Sequence, residues 1–141
     1  MITYFSKEYD YDELCRRSAN FGVFAGARKM AYTDGKAKGV EVVEVVTGGG
    51  LRYHIIPDRG LDISFAEYKG VPLTYASQAG VVAPQYYDAE GEEWLRSFTG
   101  GLFTTCGLRQ VGNACIYKGE KHGLHGRISN CPASHVCVWE E

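Results

Sequence analysis

Two short stretches of the chain bring chemically capable side chains together. The first is Pro57-Asp58-Arg59-Gly60-Leu61-Asp62, in which two carboxylates flank one arginine. A guanidinium donates paired hydrogen bonds to ligand oxygens, and neighbouring carboxylates hold its orientation. The same residues also suit an ordinary ion-paired turn, with Gly60 supplying unusual backbone angles. The second stretch is His122-Gly123-Leu124-His125-Gly126-Arg127, followed by Ser129 and Asn130. Histidine exchanges a proton near neutral pH, and glycines on both sides let a ligand approach the backbone closely. The competing reading is a solvated loop in which His122 is idle and His125 bonds a backbone group.

Other groupings carry less. His122, His125, Cys131, His135 and Cys137 are zinc-type donors. Their spacing lacks both the i, i+4 helical alignment of metalloprotease histidines and a Cys-x-x-Cys knuckle, so no metal is expected. Cys106 is a conceivable thiol nucleophile, but its apolar surroundings predict a buried strand and a packing role. Tyr86, Tyr87 and Trp94 have the faces to stack on a sugar ring, although aromatics in such a segment more often cover a core.

These residues need elements to position them. One short helix is predicted at Tyr11 to Ser18, with Asp10 or Asp12 as N-cap. From Gly22 onward the pattern is strands with alternating apolar residues, separated by turns: Val23 to Tyr32, Val40 to Thr47, Leu51 to Pro57, Leu61 to Tyr68 and Val71 to Tyr75. Asp34-Gly35, Gly48-Gly49-Gly50 and Lys69-Gly70 supply the turns. Gln78 to Glu93 reads as a surface loop, Gly100 to Leu108 as a buried strand, and Lys118 to Arg127 as a loop. Val136 to Glu141 reads as an edge strand without a partner.

The 141 residues fit one β-rich unit, 1–141, without an internal repeat or a composition shift. Lys and Arg number 15 against 17 Asp and Glu, a formal charge of -2, so the chain lacks the overall basic field that holds a nucleic-acid backbone. No stretch approaches the length of a membrane span, the N-terminus lacks a secretory pattern, and five cysteines are an odd set better suited to reduced thiols; the expected location is cytoplasmic. Eighteen glycines against four prolines point to many tight turns.

Four motifs carry a resemblance: Gly50-Leu51-Arg52; Pro57-Asp58-Arg59-Gly60-Leu61-Asp62-Ile63; Gly100-Gly101-Leu102 with Thr105-Cys106-Gly107-Leu108; and Gly123-Leu124-His125-Gly126-Arg127-Ile128-Ser129-Asn130 with Pro132-Ala133. Taken in this order, they resemble the N-terminal half of aldose 1-epimerase-like proteins, in the DUF4432 branch of the galactose mutarotase-like superfamily. The resemblance implies a mainly β fold, an antiparallel β-sandwich of which this chain is the N-terminal part, with a sugar pocket on a concave sheet. It implies a small aldose as ligand and no cofactor. The family's Leu-His-Gly histidine falls on His125, as pocket residue and catalytic proton carrier. A sugar-contacting arginine falls on Arg59 or Arg127.

Mutarotation needs a base for the anomeric hydroxyl proton and an acid for the ring oxygen. The family's main pair lies in a later region, with no matching positions here. The expectation is therefore a carbohydrate-binding, mutarotase-like protein in which an aldose 1-epimerase activity depends on completion of the sheets. A second copy or a complementing chain would add along the C-terminal edge strand. The alternative is a catalytically inactive structural or assembly fragment with an open sheet edge.

Overall fold

The computed structural model describes residues 2–4 and 6–139. Strands β1 (Ile2–Tyr4) and β2 (Lys7–Tyr9) form a hairpin ahead of α1 (Tyr11–Cys15), the one α-helix among the described residues. Asp10 caps α1: its Oδ1 accepts from the Glu13 amide at 2.7 Å, and the Glu13 carboxylate accepts from the Asp10 amide at 3.2 Å. The helix is one turn shorter than predicted, because Leu14 is its only deeply buried side chain and nothing apolar follows to hold another turn.

The centre of the molecule is a five-stranded antiparallel sheet in the order β3 (Gly26–Ala31), β4 (Glu41–Val46), β5 (Leu51–Ile56), β6 (Asp62–Tyr68) and β7 (Val71–Pro72). This is the predicted meander, with boundary corrections. Phe21–Val23 is a 3-10 turn rather than the start of β3. The predicted 71–75 strand divides. Pro72 has no amide donor; the Leu73 amide still donates to the Ala66 carbonyl of β6 at 2.9 Å, and the chain then leaves the sheet so that β8 (Tyr75–Ala76) pairs instead with β9 (Gly100–Gly101). The Val40, Val42, Ile56 and Ala83 side chains form a core cluster, covered by Tyr32 and Val81. Opposite His54 and Ile55 the register of β6 skips Ser64, a bulge that bends the strand just after the Arg59 turn.

Three expectations are overturned. The buried strand at 100–108 contains only Gly100 and Gly101 as strand residues; Leu102, Phe103, Cys106 and Leu108 are exposed, so Cys106 is not a core thiol. The Lys118 to Arg127 loop begins as a hairpin, β10 (Cys115–Tyr117) with β11 (Glu120–His122), whose turn residues Lys118 and Gly119 both have positive φ. Of the edge strand expected at Val136 to Glu141, residues 136–139 form no strand and Trp139 is exposed, while Glu140 and Glu141 lie outside the described residues; among the described residues there is no C-terminal edge strand to recruit a partner. No helix among the described residues is long and apolar enough to cross a membrane. Mostly strand, with little helix, this is the antiparallel β class that the sequence predicts.

Candidate functional site

The two motifs singled out by residue type lie against each other. Pro57–Arg59 forms a 3-10 turn closed by Gly60 in the left-handed region, and this turn packs on a second 3-10 turn at Ile128–Asn130. A Cβ on Gly60 would stand 2.7 Å from the Ile128 carbonyl oxygen, so only glycine permits this approach. The Ala133 amide donates to the Pro57 carbonyl at 2.9 Å.

Arg59 is the centre of this junction and is only 1% exposed. Its guanidinium donates to the Asn130 Oδ1 and, at 2.8 Å, to the Ser97 carbonyl. Asn130 donates in turn to the Ser129 hydroxyl, which also accepts from the Trp94 indole at 2.9 Å. Trp94 is therefore buried interior, stacked on Phe98. Asp62, equally buried, accepts from the Thr105 amide at 2.5 Å. Burial pushes the Asp62 carboxyl above its ordinary range, against the pull of Thr105 and Arg59; burial also lowers the Arg59 guanidinium. The structure thus places Arg59 beneath the histidine loop, with its hydrogen bonds directed into the protein.

Above it, the loop is built on glycine. A Cβ on Gly126 would meet the Gln110 and Gly107 carbonyl oxygens at 2.8 and 2.9 Å. His125 adopts φ 56°, unusual for a non-glycine residue, and is pinned on three sides. Its amide donates to the Gly112 carbonyl and its carbonyl accepts from the Gly107 amide, both at 2.9 Å. Its Nδ1 accepts from the Gly112 amide at 3.3 Å, and Trp94 meets the ring edge-on at 4.9 Å. In the neutral ring Nδ1 is then the acceptor and Nε2 carries the proton.

Beside this loop is a cleft of about 260 Å³. One wall is Gly107–Gln110, the other Glu120–Gly123, and Arg127, Ile128 and Cys131 close it. Arg127 is exposed and lines the cleft; Arg59 and His125 stand behind its lining. His122 lines the cleft and so is not idle in position. Arg109 pairs with Glu120 at 2.7 Å, and Lys121 with Glu90 at 3.4 Å. Tyr87 donates to the Gly126 carbonyl at 3.3 Å, whereas Tyr86 points to solvent. Among the described residues no three His, Cys, Asp or Glu side chains come together to hold a metal, so the five zinc-type donors do not form a set.

A second polar constellation was not visible in the sequence. In cross-strand register on one sheet face lie Arg28, Glu44, His54 and Phe65. Glu44 is 4% exposed and takes Arg28 at 3.1 Å, Arg52 at 2.5 Å and His54 at 3.5 Å. Burial raises its carboxyl, but the two guanidiniums and His54 outweigh that and leave it below its ordinary value. The only advance signal was charged residues at inward positions of predicted strands; which strands pair decides whether they meet.

A family model described as "Domain of unknown function (DUF4432)" matches residues 37–141. The fold is similar to that of a solved structure of a putative aldose 1-epimerase from Klebsiella pneumoniae subsp. pneumoniae, with a TM-score of 0.68 and 26% sequence identity. The match covers 77% of this chain and 29% of that one, so the chain spans well under half of that protein's length. No curated protein matches.

Proposed function

We propose, from the premise that this chain belongs to the DUF4432 family, that it binds a monosaccharide in the cleft beside the His125 loop and contributes that loop to a mutarotase-like site. The observation that carries the reading is the cleft itself: about 260 Å³, walled by glycine-built backbone and closed by the exposed Arg127, next to a histidine whose backbone and ring are both fixed. Small-molecule sites pair such a concavity with a few placed polar groups. Arg127 is the oxygen ligand. His125, with Nδ1 occupied and its ring outside the lining of the cleft, takes the role of proton carrier through Nε2–H once the rest of the sandwich completes the site. Arg59 acts on the sugar through Asn130, as the residue that positions the loop. Residues 1–141 act as one β-sandwich domain, part of a longer one, and the rest of the sandwich supplies the second partner of the acid–base pair.

The test is chemical-shift perturbation with a panel of aldoses, followed by polarimetry on fresh α-glucose and α-galactose. His125→Asn is the informative variant, because asparagine tolerates positive φ better than other residues and the loop keeps its shape. Binding that shifts the amides of residues 107–110 and 122–127, and a mutarotation rate that falls in His125→Asn, support the reading. A rate unchanged in that variant removes His125 from the chemistry; no shift with any aldose removes the sugar.

One observation favours a second reading, an assembly role. Leu61, Tyr75, Leu102 and Phe103 surround the crossing of β9 over β6, and each is at least half exposed. Exposed large apolar residues on segments that pair with one another favour a contact face.

A further inference from the structure

The cleft is electropositive on a chain whose formal charge is -2. Arg109, Lys121 and Arg127 line it against one carboxylate, Glu120. Arg109 is matched by Glu120 and Lys121 by Glu90. Arg127 has no such match: among the described residues its side chain makes no ion pair and no hydrogen bond, although burial raises the Tyr87 hydroxyl and the Arg127 charge offsets part of that rise. A guanidinium is a planar fork suited to a bidentate oxyanion, and an uncompensated one in the wall of a cleft attracts that chemistry. A neutral aldose would leave this charge unmatched.

Resting on the sugar-binding reading above, we infer that the ligand is an acidic sugar, one carrying a carboxylate or phosphate that Arg127, in the wall of the cleft, takes as a paired oxyanion. The glycine walls and His122 then face the hydroxyls. Because Arg127 is exposed, replacing it leaves the fold intact.

The test is calorimetric or NMR titration of the protein with galactose, galacturonate and galactose 6-phosphate, and with the matching glucose series, at low salt and at 0.5 M added salt (a concentration of about 0.5 M shortens the screening length to a few ångströms). An acidic sugar is expected to bind at least about tenfold more tightly than its neutral parent, the worth of one charge-assisted pair. That advantage should vanish in Arg127→Gln, persist in part in Arg127→Lys, and shrink in salt. Preference for the uronate or for the phosphate identifies which oxyanion is taken. Equal binding of neutral and acidic sugars, or an acid preference unchanged in Arg127→Gln, overturns the inference while leaving sugar binding in place. Inorganic phosphate binding as tightly as the sugar phosphate overturns it too, since the site then reads only the anion. No response to any sugar defeats the sugar-binding reading itself.

Discussion

A charge held at 1% exposure, as on Arg59, persists only while its partners remain. Arg59→Met should leave the Asn130 and Ser97 acceptors unpaired and strip Asp62 of its countercharge, lowering stability by about 3–5 kcal/mol. Urea unfolding followed by circular dichroism checks this. Arg59→Lys should rescue little, because one ammonium cannot reproduce the fork between Asn130 and Ser97. Glu44 gives a pH test. Its carboxyl is lowered in the folded protein, so its contribution is complete above its ordinary value of 4.5 and is lost as pH falls through the lower folded value. Glu44→Gln should cost about 1–3 kcal/mol at neutral pH, discounted toward the lower end because Arg28 and Arg52 are half exposed. The gap between variant and parent should close on acidification; thermal melts from pH 7 to 3 measure it, and a constant gap would show that the ion pairs contribute nothing. Asp62 runs the other way. Its raised carboxyl favours protonation in the folded state, so it adds stability at acid pH that is lost as pH rises through the folded value.

At the scale of elements, two glycines at positive φ, one in a strand and one in a turn, should respond to the same change by different amounts. Gly101 in β9 has φ 100°, and a side chain there would run into the Ile63 carbonyl of β6. Gly101→Ala should break the crossing of the two strands and cost more than about 2 kcal/mol. Gly119, in the β10–β11 turn, has φ 80° with open space around its Cβ position. Gly119→Ala should cost only about 1 kcal/mol, the strain of the dihedral alone. Equilibrium unfolding of the two variants side by side checks the contrast; equal losses would mean that the close approach of Gly101 carries no weight.

At the scale of the whole molecule, the exposed set Leu61, Tyr75, Leu102 and Phe103 separates the two functional readings. If it is a contact face, light scattering should show a concentration-dependent rise in mass at micromolar protein, and Leu102→Asp with Phe103→Asp should abolish it without lowering sugar affinity. A monomer at every concentration leaves the cleft as the surface that matters.

Local chemistry was legible in the chain itself. Alternating apolar residues and turn pairs such as Lys69-Gly70 determined β3 to β6, and a cap at Asp10 or Asp12 marked where α1 begins, the structure taking Asp10 through its box with Glu13. Lys118-Gly119 carries the same positive-φ pair as Lys69-Gly70, but its flanking strands are only three residues each, too short to register as a period. Arg59 and His125 were singled out by residue type, yet their division of labour was not readable. Whether an arginine meets solvent or Asn130, 71 positions away, depends on which turns pack. The same holds for Glu44, whose partners come from two other strands. Periodicity and turn chemistry act between near neighbours in the chain, so the sequence alone determines them; burial, charge pairing and the cleft are sums over distant segments, and only the tertiary structure decides those.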